Sequence, residues 1–154
     1  MDLNIYNLRS DTVSPWCLEG FGAVFIIPTL QKLALSHVIV GDSDLRFFPK
    51  FQRETDLIAL CFNSAVMSVQ SLSKILSFPR ALRSLQLYGV KPHEDEWLEG
   101  AGTPEDLYRA ILQQCASLEV LSVLRLAHRL HIDKAEFPKL RTTHGCRERS
   151  SGAP

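Results

Sequence analysis

Two histidines stand three residues apart in His128-Arg129-Leu130-His131. On a helix that spacing puts both imidazoles on one face, which is half of a metal site. No third ligand stands at a recognised spacing, so the pair reads as surface histidines. His144-Gly145-Cys146 sets another imidazole near a thiol, in a polar stretch that lacks further ligands in the same way. Glu94-Asp95-Glu96-Trp97 joins three carboxylates to an indole. Such a set can grip a basic segment of a partner, although a run of this kind is more often a solvated loop. Trp97 and Leu98 are expected to fold back toward the core. Gly20-Phe21-Gly22 lacks the further glycine and the preceding strand that dinucleotide binding requires. There is no Gly-x-Ser-x-Gly elbow, and no Ser/His/Asp set can be built from the spacing. The residues therefore offer no catalytic, cofactor-binding or metal-binding set, and the expectation is a protein that is not an enzyme and uses no cofactor.

The elements that would carry any site are marked by leucine. Leu-x-x-Leu-x-Leu recurs as Leu30-Gln31-Lys32-Leu33-Ala34-Leu35, Leu57-Ile58-Ala59-Leu60-Cys61-Phe62, Leu82-Arg83-Ser84-Leu85-Gln86-Leu87 and Leu118-Glu119-Val120-Leu121-Ser122-Val123. The copies begin 27, 25 and 36 residues apart, and the first two spacings lie in the window of a leucine-rich repeat. Within each copy the last two apolar positions are two apart, so in a strand they share a face. One unit cannot bury that face alone, whereas stacked neighbours can. An apolar-Pro pair precedes the strand at Ile27-Pro28 and Phe78-Pro79 and returns at Phe137-Pro138. Proline stops what precedes it and commits the chain to the extended stretch that follows.

Between strands, two helices are predicted. Ser68 caps one whose apolar stripe is Val69, Leu72, Ile75 and Leu76. Thr103-Pro104-Glu105-Asp106 starts the other, with Leu107, Ala110, Ile111 and Cys115 at helical spacing. A third helical candidate starts at Ser14-Pro15 and runs through Trp16 and Leu18. Residues 91–102 read as a loop inserted after the third strand, which accounts for the long spacing. Gly41 to Glu54 reads as irregular, with Phe47, Phe48 and Phe51 covering the edge of the core.

The fold class expected is α/β: a short open solenoid of about four units, with mostly parallel strands on its concave face. Residues 1–24 form an N-terminal flank in which Leu3 to Leu8 is the remnant of an earlier strand. Residues 25–140 form the repeat domain. Phe137-Pro138-Lys139-Leu140 announces a fifth unit, but Thr143 stands where its next leucine belongs, so residues 141–154 read as a disordered polar tail and suggest truncation or a shifted reading frame.

Seventeen basic residues against seventeen acidic give zero net charge, which argues against bulk binding to nucleic acid or an anionic membrane. The most apolar run, Phe21 to Leu35, is broken by Gly22, Pro28 and Lys32, so no membrane span is expected. No signal peptide is visible. Cys17, Cys61, Cys115 and Cys146 contain no Cys-x-x-Cys pair, and three lie in apolar stretches. That pattern suits free thiols in a reducing, intracellular compartment, cytoplasmic or nuclear.

The segments Pro28–Leu35, Phe78–Leu87 and Cys115–Leu121 resemble the leucine-rich-repeat region of fungal F-box-like proteins. The resemblance covers roughly residues 25–140. It implies a substrate receptor: the repeats hold a protein substrate, and an F-box in the intact protein docks on a cullin-type ubiquitin ligase through an adaptor. The F-box itself is not seen, and Met1 to Ser14 is too short to hold one. The ninth repeat position, often Asn or Cys in such arrays, is Val38, Ala65, Val90 and Leu126 here.

If the core leucines face inward, their neighbours form three outward rows. These are Lys32, Ala59, Ser84, Val120; Ala34, Cys61, Gln86, Ser122; and Ser36, Asn63, Tyr88, Leu124. The candidate protein-binding residues are Lys32, Ser36, Asn63, Gln86, Tyr88, Ser122 and Leu124, with Tyr88 the obvious anchor type. The partner expected is a protein substrate. A leucine-rich scaffold unrelated to ubiquitin, a fragment without function and, last, a small enzyme are the alternatives.

Overall fold

The structure is a computed structural model that describes residues 1–6, 16–17, 22–41, 45, 52–91, 103–125 and 130–148. In chain order the strands and helices are β1 (Asp2–Tyr6), β2 (Trp16–Cys17), β3 (Lys32–Ser36), β4 (Val38–Val40), β5 (Ala59–Asn63), β6 (Val66–Met67), α1 (Val69–Ser77), β7 (Ser84–Tyr88), α2 (Pro104–Leu112), β8 (Val120–Leu124), β9 (His131–Ile132), β10 (Thr142–His144) and β11 (Arg147–Glu148). Short 3-10 turns occupy Gly22–Ile26 and Lys134–Glu136.

The leucine motif dictates the main sheet. β1, β3, β5, β7, β8 and β10 lie side by side in that order, every neighbouring pair parallel. Leu33 stands beside Leu60, Leu60 beside Leu85, and Leu85 beside Leu121. Leu35, Phe62, Leu87 and Val123 form the next inward row. The first leucine of each motif, Leu30, Leu57, Leu82 and Leu118, is buried beneath them. Each such leucine contributes about 2 kcal/mol through removal from water. A one-residue slip would turn both rows to solvent, so the pattern locks the register.

Backbone bonds repeat with the same period. The carbonyl of Met1 accepts from the N–H groups of Gln31 and Lys32, at 2.9 and 3.4 Å. The carbonyls of Gln31, Ile58, Arg83 and Glu119 each accept in the same way from two successive N–H groups of the next segment. At the far end of β3, β5, β7 and β8 a residue enters the left-handed region: His37 (φ 56°), Ser64 (φ 53°), Gly89 (φ 59°) and Arg125 (φ 59°). All four stand five residues after their strand begins. The corner turns the chain into the short second-layer strands, β2-β4-β6 in one sheet and β9-β11 in another.

Both predicted helices form. The Ser68 Oγ accepts from the N–H of Ser71 at 2.8 Å, capping α1, whose Leu72, Ile75 and Leu76 are buried. Thr103 caps α2 through a reciprocal box: the Asp106 N–H donates to Thr103 Oγ1 at 3.2 Å, and the Thr103 N–H donates to Asp106 Oδ2 at 2.9 Å. The bonds from the Thr103 backbone, then from its side chain, hold the Asp106 carboxyl below the usual aspartate range, with Arg109 assisting. A depressed pKa gives stability that is present above the unfolded value of about 4 and lost as pH falls through the folded value. The first turn of α2 is therefore expected to lose amide protection on acidification before α1 does, as read by hydrogen exchange across a pH series.

Thr55 lies where the chain enters the third strand of the main sheet. Its carbonyl accepts from the Arg80 N–H at 3.1 Å, and its N–H donates to Phe78 at 3.2 Å. Its side-chain hydroxyl is buried without a hydrogen-bond partner. Thr55→Val keeps the shape and removes an unsatisfied group, so stability is expected to stay level or rise by about 1 kcal/mol in denaturant titration.

Four expectations are corrected. Among the described residues the main sheet has six strands rather than about four units, because β1 and β10 extend it at both ends. Leu3 and Ile5 of β1 stand beside Leu33 and Leu35, so the N-terminal flank supplies a full strand. Residues 141–148 are not a disordered tail: β10 joins β8 and β11 joins β9. Backbone pairing with a leucine-rich neighbour holds this stretch despite its polar side chains. Trp16 and Cys17, expected in a helix from Ser14, pair in a strand with Val38 and Ile39. The Glu94–Trp97 loop, Phe47, Phe48, Phe51, Leu126 and residues 149–154 lie outside the described residues.

Candidate functional site

Strand alternation places Lys32, Ala34 and Ser36 on the face opposite Leu33 and Leu35. The parallel register then lines these positions up across the sheet. Asp2, Lys32, Ala59, Ser84, Val120 and Thr142 form the first outer row. Asn4, Ala34, Cys61, Gln86, Ser122 and His144 form the second. Ser36, Asn63, Tyr88 and Leu124 align in the third. The three predicted rows are thus side by side, each in the predicted order.

Exposure divides the predicted residues. Lys32, Asn63 and Leu124 are exposed, and Gln86 and Tyr88 are half-buried. Ser36 and Ser122 are buried, which corrects their reading as surface contacts. Both are short side chains on interior strands, so their longer neighbours shade them. Leu124 is 41% exposed, a rare state for a large apolar side chain in the described residues, shared with Met1. It stands directly beside Tyr88 in the row. Among the described residues no hydrogen bond is made by the Tyr88 hydroxyl, so its polar tip is available.

The outer face carries little fixed charge in its middle. Lys32 Nζ lies 3.0 Å from Asp2 Oδ2 at one end, and Arg83 Nε lies 3.9 Å from Glu119 Oε1 at the strand entrances. Both pairs are solvated and contribute little to stability. Burial pushes the Cys61 thiol up from its ordinary value, so it stays protonated at neutral pH and is a poor nucleophile. Sequence reading missed Asn4 and His144 on this face. The Leu3-x-Ile5 alternation was the available signal for the first. Nothing apolar announces the second.

The opposite side holds a groove of about 500 Å³ between α1 and α2. Gln70, Ser73, Lys74, Asp106, Arg109 and Gln113 line it. Its polar groups are mostly spoken for: Gln113 Nε2 donates to Ser73 Oγ at 2.7 Å, Arg109 lies 3.8 Å from Asp106, and Lys74 sits 5.8 Å from the centre of the Phe78 ring. Farther along, the Tyr108 hydroxyl donates to Glu136 and its ring meets Phe137 edge-on at 6.1 Å. Burial, then the bond to Glu136, pushes the Tyr108 pKa up to about 12. That contact ties α2 to the unit carrying β10 and is structural in character.

Among the described residues, no three His, Cys, Asp or Glu side chains converge on a metal-sized space. His131 stands in the strand β9, not on a helix, and His128 lies outside the described residues. Burial raises the Cys146 thiol to about 11. No helix among the described residues is long and apolar enough to cross a membrane. Comparisons of the chain with protein-family models, with curated proteins and with solved structures give no match.

Proposed function

We propose that the chain is a non-catalytic protein-binding module, a short open leucine-rich-repeat solenoid that holds a partner protein on the outer face of its main sheet. The observation that carries this reading is the common register of six parallel strands, which turns isolated side chains into continuous rows. Three recurrences support the repeat interpretation: the buried first leucine, the paired N–H groups on one carbonyl at each strand entrance, and the left-handed corner five residues on. A repeat stack presents such a face as an extended binding surface. Tyr88 supplies an anchor side chain of the kind that dominates interfaces, and the exposed Leu124 stands beside it.

The resemblance to fungal F-box-like proteins extends the proposal: the bound protein would be a substrate, and ubiquitin transfer would belong to other subunits. A scaffold role without ubiquitin is the second reading. Recovery of the cullin adaptor with the full gene product separates the two.

The binding face is tested by placing a photo-crosslinking residue at position 88 or 63, and in a control at Gln70 on α1. Expected is one discrete adduct from positions 88 and 63 in cells of the source organism, absent from position 70. Equal adducts from all three positions, or an adduct at position 70 alone, would overturn the assignment of the sheet face.

A further inference from the structure

Among the described residues β1 forms one edge of the main sheet. It pairs with β3 in unbroken register from Asp2 to Tyr6. The Met1 carbonyl accepts from Gln31 and Lys32, so the backbone groups of Met1, Leu3 and Ile5 face β3. Those of Asp2, Asn4 and Tyr6 face away from the sheet. The strand carries neither proline nor lysine, the usual guards of such an edge. Its one charge, Asp2, is turned back onto Lys32 at 3.0 Å. Leu3 and Ile5 end the two inward rows half-buried, whereas the members on β3, β5, β7 and β8 are 3% exposed or less. A strand covers these two side chains on one flank alone.

This edge is complementary to itself. We infer that two copies of the chain pair through β1, antiparallel, about a two-fold axis at Asn4. Asn4 then exchanges both backbone bonds with Asn4 of the second copy, and Asp2 does so with Tyr6. Leu3 stands beside Ile5 of the second copy on the inward side, so each inward row gains the neighbour it lacks. Of the two-fold registers, this one alone pairs the whole of β1. The exposed Asn4 side chains meet on the outer face, where one amide can donate to the other. A head-to-tail stack fits less well. Continuing the parallel ladder from β10 would set Thr143 beside Leu3 and Gly145 beside Ile5, leaving both uncovered. The two-fold pair closes on itself and gives a dimer, not a filament. The inference is independent of what the outer face binds.

The test is sedimentation velocity on the full chain over a concentration series, with three variants. One strand pair is smaller than a standard interface, so a dimer with Kd of about 100 µM is expected. Asn4→Pro removes an N–H that faces away from β3, so it keeps the ladder and should weaken the dimer by at least about tenfold. Far-ultraviolet circular dichroism verifies its fold. Asn4→Cys should form a disulfide-linked dimer on mild oxidation, because the two Cα atoms stand about 5.5 Å apart across the axis. Asp2→Cys should not, since its two copies lie about 13 Å apart along the strands. If Asn4→Pro fails to fold, the cysteine pair alone decides. A monomer throughout the series, assemblies larger than a dimer, a dimer unchanged in folded Asn4→Pro, or crosslinking of Asp2→Cys equal to that of Asn4→Cys would each overturn the inference.

Discussion

Gly145→Ala is expected to undock the last strand of the main sheet and to cost about 3 kcal/mol or more. The cause is local. β10 starts in register with β8, Thr142 beside Val120, but its corner comes three residues after its start instead of five. Turning early brings Gly145, at φ 74°, against the preceding strand. A Cβ there would lie 1.9 Å from the Val123 carbonyl oxygen and 2.9 Å from the Val123 carbonyl carbon. Those atoms belong to backbone, so no side-chain rotation relieves the clash. Gly89 is the internal control. It shares the left-handed corner at φ 59°, yet a Cβ would meet its nearest atom at 3.8 Å. The equivalent corners carry His37, Ser64 and Arg125. Gly89→Ala should therefore cost only about 1 kcal/mol, the left-handed penalty alone. Denaturant titration of both variants measures the difference, and hydrogen exchange should place the loss for Gly145→Ala in residues 142–148. Equal costs for the two would contradict the clash.

Gln114→Leu is expected to destabilise the fold by about 3 kcal/mol, against its polar and unremarkable place in sequence. Gln114 is buried just beyond α2. Its Oε1 accepts from the Leu82 N–H at 3.0 Å. Its Nε2 donates to the carbonyls of Leu76 and Pro79 at 2.7 and 3.0 Å. Ser117 Oγ adds a bond to the Leu82 carbonyl at 2.9 Å. One amide thus satisfies the backbone that leads from α1 into β7, where proline and the strand entrance leave groups unpaired. Leucine fills the space but orphans one donor and two acceptors. Gln114→Glu separates hydrogen bonding from packing. It keeps the acceptor but sets a carboxylate against two carbonyls. Its destabilisation should be larger at pH 7 than at pH 4, since protonation restores a donor. A pH-independent cost, equal to that of leucine, would contradict the assigned bonds.

The inward rows and the three outer rows were legible because a strand has period two and the motif recurs at fixed phase. Leu33, Leu60, Leu85 and Leu121 could align in only one way that hides them all. Ser68 and Thr103 were legible for a different reason, since cap chemistry is local. β10 was not, because Thr142-Thr143-His144 has no apolar alternation and is held by the neighbouring ladder. The two- and three-residue strands of the second layer are too short to leave a period. Burial of Ser36 and Ser122 depends on what stands beside them across the sheet, which spacing alone does not reveal. Gln114 carries no signal at all, one amide of a Gln-Gln pair whose partners are backbone atoms more than thirty residues earlier. The candidate site divides in the same manner. Tyr88 and Leu124 followed from the motif phase, whereas His144 joined the outer face only through the pairing of β10 with β8.

Native cysteines give the most direct test of the sheet face as the recognition surface. Cys61 lies mid-face in the second outer row, and Cys115 lies beyond α2, packed against the core from the helical side. Alkylation of both can be followed by peptide mass spectrometry at one pH, with and without the partner captured through position 88. The result expected is a severalfold slower reaction at Cys61 in the complex and an unchanged rate at Cys115. Protection of Cys115 with Cys61 unaffected would contradict it.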